Sequence, residues 1–216
     1  MEQTILTPAQ KTVLALVAKE QNLAHFYLTG GTALTAYYLQ HRISDDLDFF
    51  ALEKPDHLFL QAFAQRIKEG LKAQDVRYER LYDRNQFFFY FPNGELKVEF
   101  TQYPFPQLTP PTKKDGILVD SMRDVTANKL VTLLDRFDPK DFVDLYFLLQ
   151  ITDLQPIQKD AETKFGMKID NVFLGGELAK VRRIETLPRM TKPLTIEELK
   201  TFFTNKVKEL APNVLL

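Results

Sequence analysis

Asp46 and Asp48 stand one residue apart in an otherwise largely apolar run from Ile43 to Leu52, at the end of the stretch YLTGGTALTAYYLQHRISDDLDFF (residues 27–50). A chain that buries such a run as a strand must accommodate two carboxylates. Side chains at i and i+2 of a strand share a face, with Cα atoms about 6.5–7 Å apart. Asp46 and Asp48 then point one way, and Leu47 and Phe49 point the other way into a core. Two like charges on one face repel unless something positive lies between them. A divalent metal is the usual answer. Carboxylate oxygens suit Mg²⁺, which keeps several waters and readily shares its site with phosphates.

The rest of the chain has the means to build a core around that pair. Its 216 residues suggest one large domain, or a core domain with a smaller helical one. An apolar fraction of 44% that includes 18 Phe excludes wholesale disorder. Lys plus Arg total 28 against 29 Asp plus Glu, which excludes a nucleic-acid binder that relies on a globally basic surface but leaves local patches open. The absence of cysteine excludes disulfides and thiolate zinc sites and fits a reducing, cytoplasmic location. The start MEQTILTPAQK lacks the basic and apolar segments of a secretory signal. No apolar stretch reaches the roughly 18 residues of a membrane helix.

Patterning predicts α+β organisation. Thr7-Pro8 reads as a helix cap and first turn, with the helix running to about Glu20. His25 to Leu28 reads as a short strand broken by Thr29-Gly30-Gly31, followed by a helix over 32–40 and a strand over 43–52. Leu58, Phe59, Ala62, Phe63 and Ile67 give helical spacing over 57–72. Residues 76–82 read as a strand, and 87–91 with 96–100 as a hairpin around Pro92-Asn93-Gly94. A Pro-rich connector, 104–111, divides a core domain (1–108) from a helical region (109–216) with helices over 122–136, 141–149, 155–165, 175–184 and 196–210. No internal repeat or low-complexity segment is present.

Two further features bear on the aspartates. In the strand over 96–101, Leu96, Val98 and Phe100 share one face, and Lys97 and Glu99 share the other. If that strand lies beside the aspartate strand, Glu99 joins Asp46 and Asp48, and three carboxylates can hold two metals about 3.5–4 Å apart. Gly30-Gly31 sits between a strand and a helix, where free N–H groups and a positive dipole end favour phosphate. Glycine permits close approach to the backbone, and Thr32 adds a hydroxyl donor. Taken singly, each feature has a plainer reading: a turn for Gly-Gly, a solvated strand face for Asp-x-Asp and for Glu99.

Gly30-Gly31-Thr32-Ala33-Leu34, Tyr38-Leu39, His41-Arg42, Ser44 and Asp46-Leu47-Asp48-Phe49-Phe50 together resemble the first motif of the AbiEii/AbiGii-type toxin nucleotidyltransferases, within the polymerase-beta-like superfamily. Ala127-Asn128-Lys129-Leu130, then Arg136 and Lys140-Asp141-Phe142-Val143-Asp144-Leu145-Tyr146, resemble the family's lysine motif and its Lys/Arg-Asp-x-x-Asp-Leu motif, in the expected order. Residues 185–190 are weakly similar to its C-terminal region. The resemblance implies a polymerase-beta-like nucleotidyltransferase core, with a mixed sheet flanked by helices, plus a C-terminal helical region. It implies transfer of a nucleoside monophosphate from an NTP to an acceptor, the tRNA 3′ end in some toxin members, opposed by a cognate antitoxin.

By that resemblance Asp46 and Asp48 are metal ligands, Lys129 contacts the triphosphate, and Asp141 and Asp144 belong to the last motif of the catalytic set. Glu99 enters as third metal ligand on strand phase alone, with one Mg²⁺ bridging the β- and γ-phosphates and a second activating the acceptor hydroxyl. Gly30, Gly31, Thr32, Arg42, Ser44 and Lys129 form the expected NTP-binding set. Arg42 has a second reading as a partner of Asp45 or Asp46, and Ser44 as support for the loop. Lys129 has one as a snorkelling surface lysine, and Asp141 as a charge favoured by the dipole at a helix start. His25, His41 and His57 lack metal-ligand spacing. Lys180, Arg182, Arg183, Arg189 and Lys192 make either an RNA-facing basic surface or a solvated helix face. Two rival functions remain: nucleotidyl transfer to a small hydroxylated molecule such as an aminoglycoside, and a non-catalytic NTP-sensing or partner-binding module.

Overall fold

The computed structural model describes residues 5–210, which fall into two compact units. One comprises Met1–Tyr38 with Ser44–Ser121, and the other Leu39–Ile43 with Met122–Leu216. The first expected residues of the chain, 1–4, and the tail, 211–216, lie outside the described residues.

The first unit is built on a seven-stranded mixed sheet, β1 (Tyr27–Thr29), β2 (Leu47–Ala51), β3 (Asp75–Leu81), β4 (Arg84–Phe91), β5 (Gly94–Gln102), β6 (Thr112–Lys114) and β7 (Ile117–Val119), in the order β3-β4-β5-β2-β1-β7-β6. β2 runs antiparallel to β1 and parallel to β5, and β1 runs parallel to β7. Alternation in β4 and β5 buries Phe87, Phe89, Leu96, Val98 and Phe100 on one face. Phe100 is the hub of this core. Its ring stacks on Phe49 of β2 at 5.2 Å, and Phe26, Phe63 and Phe87 present edges to it at 5.5, 6.3 and 6.4 Å. Helices α1 (Pro8–Val17) and α3 (His57–Leu71) pack in this unit, their starts fixed by the Thr7 capping box with Gln10 and by Asp56, which accepts from the Leu58 and Phe59 amides.

Three local departures from the expected elements have physical causes. β2 begins at Leu47, not Ile43, because side chains rather than a neighbouring strand take up the carbonyls of residues 44–46. The helix expected over 32–40 is a short α2 (Gly30–Leu34) that widens into a π turn, Thr35–Leu39. β6 and β7 lie in residues that pattern alone assigned beyond the core domain. Strands of three residues show too little alternation to be read, and their turn at Asp115-Gly116 uses positive φ at both positions. Since this hairpin extends the sheet, the compact units divide after Ser121 and not at 108.

The second unit is helical: α4 (Met122–Asp135), α5 (Pro139–Leu148), α6 (Leu154–Phe165), α7 (Asn171–Leu178) and α8 (Ile196–Leu210). α7 starts four residues before the expected Gly175, since Asp170 caps the Val172 and Phe173 amides. The stray segment Leu39–Ile43 is held by backbone bonds: Ile43 N–H donates to Arg189 O at 2.8 Å and Thr191 N–H to His41 O at 3.0 Å. α4 and α6 share a fully buried ion pair, Lys164 Nζ to Asp124 Oδ1 at 2.7 Å. Truncating one partner of such a pair costs about 3–5 kcal/mol, because the remaining charge stays out of water. Asp124→Ala and Lys164→Met are each expected to lower stability by about that amount, read from the midpoint of urea unfolding, because each leaves the other charge buried without its partner.

Candidate active site

The aspartate loop of the first unit is fixed from three sides. Register places Thr29 of β1 opposite Asp48 of β2, and Asp48 beside Glu99 of β5. Gly30, the next residue after β1, has φ +69°, and a Cβ on it would come within 2.7 Å of Asp48 Oδ2. Glycine is required there twice, for the backbone angle and for the space that the carboxylate fills. Thr32 Oγ1 donates to the Asp46 carbonyl. Gln10, fully buried on α1, donates from Nε2 to the carbonyls of Ser44 at 2.8 Å and Asp45 at 3.1 Å, while its Oε1 accepts from Thr7 N–H. On the far side of β1, Asp120 Oδ2 accepts from Thr29 Oγ1 at 2.7 Å, and its carbonyl accepts from Tyr38 OH at 2.7 Å.

A lysine lies among the acids. Lys97 Nζ is 3.7 Å from Asp46 Oδ2, 3.7 Å from Asp48 Oδ1 and 3.2 Å from Glu99 Oε2. Burial opposes the Lys97 charge, but Asp48, Glu99 and Asp46 outweigh it and hold its pKa above the usual lysine range. Glu99 is buried and saturated. Arg84 grips both of its oxygens, Nε at 2.6 Å and Nη2 at 2.8 Å, and Gln86 and Thr101 donate at 2.8 and 2.7 Å. Burial would raise its pKa, yet the Arg84 hydrogen bonds and the Lys97 charge, with Gln86 and Thr101, bring it down to about 2. Asp46 and Asp48 keep more access to solvent, with 48% and 24% of their side chains exposed.

These residues fit a divalent cation in a particular way. Among the described residues no group of three or more His, Cys, Asp or Glu converges to hold a metal, so the expected triad with Glu99 is not formed. The donor set is instead two carboxylates around a position now flanked by an ammonium group. Mg²⁺ is commonly bound through one or two carboxylates, with water and phosphate completing its octahedron. The gap at Gly30 that admits Asp48 Oδ2 keeps one of those carboxylates in place.

The second unit holds a buried charge network. Asp144 accepts at Oδ1 from His41 Nε2 (2.8 Å) and Arg42 Nε (2.6 Å), and at Oδ2 from Arg42 Nη2 (2.8 Å) and Lys129 Nζ (2.6 Å). Asp141 receives Lys129 Nζ at 3.0 Å and Arg136 Nε at 3.1 Å. Burial works against the Asp144 carboxylate, but Lys129, His41 and Arg42 hold its pKa far below the carboxylate range. His41 shifts down chiefly through burial, which favours the neutral ring.

A family model described as Nucleotidyl transferase AbiEii toxin, Type IV TA system, matches residues 13–213. The chain belongs to this family. An uncharacterized protein of Aquifex aeolicus (strain VF5) is 34% identical over 194 residues, covering 87% of this chain and 89% of that protein. Among solved structures, JHP933 from Helicobacter pylori superposes with a TM-score of 0.58 at 22% identity, covering 99% of this chain and 96% of that one. MenT4, a nucleotidyltransferase toxin of Mycobacterium tuberculosis H37Rv, superposes with a TM-score of 0.53 at 16% identity over 94% and 85% of the two chains. These likenesses share the α+β, polymerase-beta-like architecture. As an AbiEii member the chain is a nucleotidyltransferase of the toxin–antitoxin class, which implies an NTP substrate and a cognate antitoxin. No helix among the described residues is long and apolar enough to cross a membrane.

Several side chains expected at the nucleotide are occupied elsewhere. Arg42, 1% exposed, pairs with Asp144 and the Ile43 carbonyl rather than with Asp45 or Asp46. Lys129 is no snorkelling surface lysine; it is buried between Asp141 and Asp144. Asp141 and Asp144, expected in the catalytic set, are wholly buried counter-charges of that cluster. Thr32 spends its hydroxyl on the Asp46 carbonyl. Ser44 is half-buried and supports the loop through its carbonyl. Gly30 and Gly31 are the first two residues of the short α2, which passes directly into the π turn. Gln10, Arg84, Lys97 and Asp120 escaped the sequence reading as site residues. Only Lys97 carried a signal, as the charged neighbour of Glu99 on its strand face.

Glu99 sets a pH signature. A carboxyl depressed in the folded state contributes stability above its unfolded pKa, near 4.5, and loses it as pH falls toward about 2. Unfolding free energy is therefore expected to drop by about 3 kcal/mol across that interval through this group, and Glu99→Gln is expected to flatten this part of the profile in chemical denaturation at stepped pH. Gly30→Ala is expected to cost at least about 1–2 kcal/mol from the left-handed backbone alone, and to displace Asp48, so that nucleotidyl transfer falls further than the melting temperature predicts.

Proposed function

We propose that this chain transfers a nucleoside monophosphate from an NTP to the 3′ hydroxyl of an RNA in a divalent-metal-dependent reaction centred on Asp46 and Asp48. The bond that forms joins the acceptor oxygen to the α-phosphorus; the α–β phosphate bond breaks, pyrophosphate leaves, and the hydroxyl proton passes to water. A bound Mg²⁺ would supply charge neutralisation for the phosphates and a Lewis acid for the transferred group. The observation that carries this reading is the pair of part-exposed carboxylates, with Asp48 seated over the missing Cβ of Gly30 and both within 3.7 Å of one cationic group.

The chain's own residues act by position. Gln10 and Thr32 hold the backbone of residues 44–46, so Asp46 and Asp48 need no reorganisation to meet a charged ligand. Gly30 leaves the room beside β1 that the Asp48 carboxylate occupies. Glu99, neutralised by Arg84, serves as a fixed anchor for Lys97 rather than as a metal ligand or general base. The RNA acceptor is taken from the resemblance to the toxin family, some members of which act at the tRNA 3′ end, and the second unit has exposed basic side chains, Arg182, Arg183 and Arg189, of the kind that RNA binding uses.

Asp48→Ala is expected to reduce NTP-dependent labelling of total RNA at least about 100-fold, more than loss of an outer-shell partner would, with circular dichroism unchanged. Labelling at the native level by this variant would refute the assignment. Labelling of an aminoglycoside but not of RNA by the native protein would move the acceptor to a small molecule.

A further inference from the structure

The position of Lys97 has a consequence for cation binding. Its Nζ lies closest to Glu99, at 3.2 Å, and equally far, at 3.7 Å, from Asp46 and Asp48. Glu99 is immobilised by two Arg84 hydrogen bonds and by Gln86 and Thr101. The ammonium group is thus moored to a fixed carboxylate on one side and lies farther, at 3.7 Å, from two part-exposed ones on the other. The lysine side chain is only 18% exposed, so water screens these interactions poorly. Its charge already offsets the repulsion between the aspartates that a metal would offset.

Resting on the metal-dependent reading above, we infer that Lys97 is the resident counter-ion of the Asp46/Asp48 pair, and that a divalent cation binds this pair only by displacing the Lys97 ammonium. Lysine suits such a role. A compact charge on a flexible four-carbon stem can withdraw without rearranging the strand that carries it, whereas a planar guanidinium is held by geometry. Lys97 is a positioning residue: it keeps the carboxylates together before the cation arrives and weakens binding of the bare cation. A nucleoside triphosphate offers the displaced ammonium new anionic partners, so cation and nucleotide bind together more tightly than either does alone. The specificity is for a metal–nucleotide complex over free metal.

The test uses the full chain, without nucleotide, and Mn²⁺ as the probe, with free Mn²⁺ followed by electron paramagnetic resonance. Lys97→Met is expected to bind Mn²⁺ at least tenfold more tightly than the native protein, and Lys97→Arg, which keeps the charge, to remain near native. Without metal, Lys97→Met is expected to melt earlier than the native protein and to gain more from added Mn²⁺. Equal or weaker Mn²⁺ binding by Lys97→Met, with measurable binding by the native protein, would overturn the inference and leave the metal-dependent reading intact. Absence of Mn²⁺ binding in native and variant proteins alike would remove that reading and the inference together. Should Lys97→Met fail to fold without metal, the native protein decides. The Lys97 Nζ and Cε signals in lysine-labelled protein are expected to move at the Mg²⁺ concentration that saturates the site, and signals unmoved at saturation would rule the displacement out.

Discussion

Asp46, Asp48 and Glu99 all lie within 3.7 Å of one ammonium group, and three carboxylates in partly dry surroundings repel one another strongly. The first unit is arranged around the answer to that repulsion. Lys97 lies among all three acids, and Arg84 neutralises the most buried of them. The remaining devices hold the acids within reach of those cations: the absent Cβ at Gly30, the Thr32 hydroxyl, and the Gln10 amide on a helix that would otherwise serve only to cover the sheet. A site built this way is preorganised for a positively charged ligand, since the unfavourable assembly of like charges is completed during folding.

The second unit meets the same electrostatic demand with a different result. Asp144 is surrounded by His41, Arg42 and Lys129, and both of its oxygens are fully engaged. No solvent reaches it. Where Asp46 and Asp48 retain access for a ligand, Asp144 is enclosed, a carboxylate held by His41, Arg42 and Lys129. Burial, more than residue type or motif membership, separates the two sets of acids.

Much of the site was legible in the sequence because it depends on strand phase and glycine. Leu47 and Phe49 turning inward dictated where Asp48 points, and the alternation from Leu96 to Phe100 put Glu99 on the matching face. Pairing of Asp48 with Glu99 needed only that the two strands be neighbours. What escaped reading depended on contacts distant in sequence. Arg42 meets Asp144 across 102 positions, and Gln10 meets Ser44 across 34. A basic residue in a nucleotide-binding motif reads as a phosphate contact until its carboxylate partner is known. Likewise, Glu99 reads as a metal ligand until Arg84 is seen on the adjacent strand. The hairpin formed by residues 112–119 was missed because strands so short carry no periodic signal, and the domain limit moved with it.

The five residues Leu39–Ile43 belong by contact to the helical unit, although the chain on both sides of them belongs to the sheet. Neither unit is therefore a continuous piece of polypeptide. Cutting the chain after Ser121 would not release an autonomous sheet module, for it would strand the Arg42 guanidinium and the His41 imidazole without Asp144. Recombination that shuffles domains by joining contiguous gene segments would meet the same obstacle. The two halves are constrained to be inherited, and to diverge, as one.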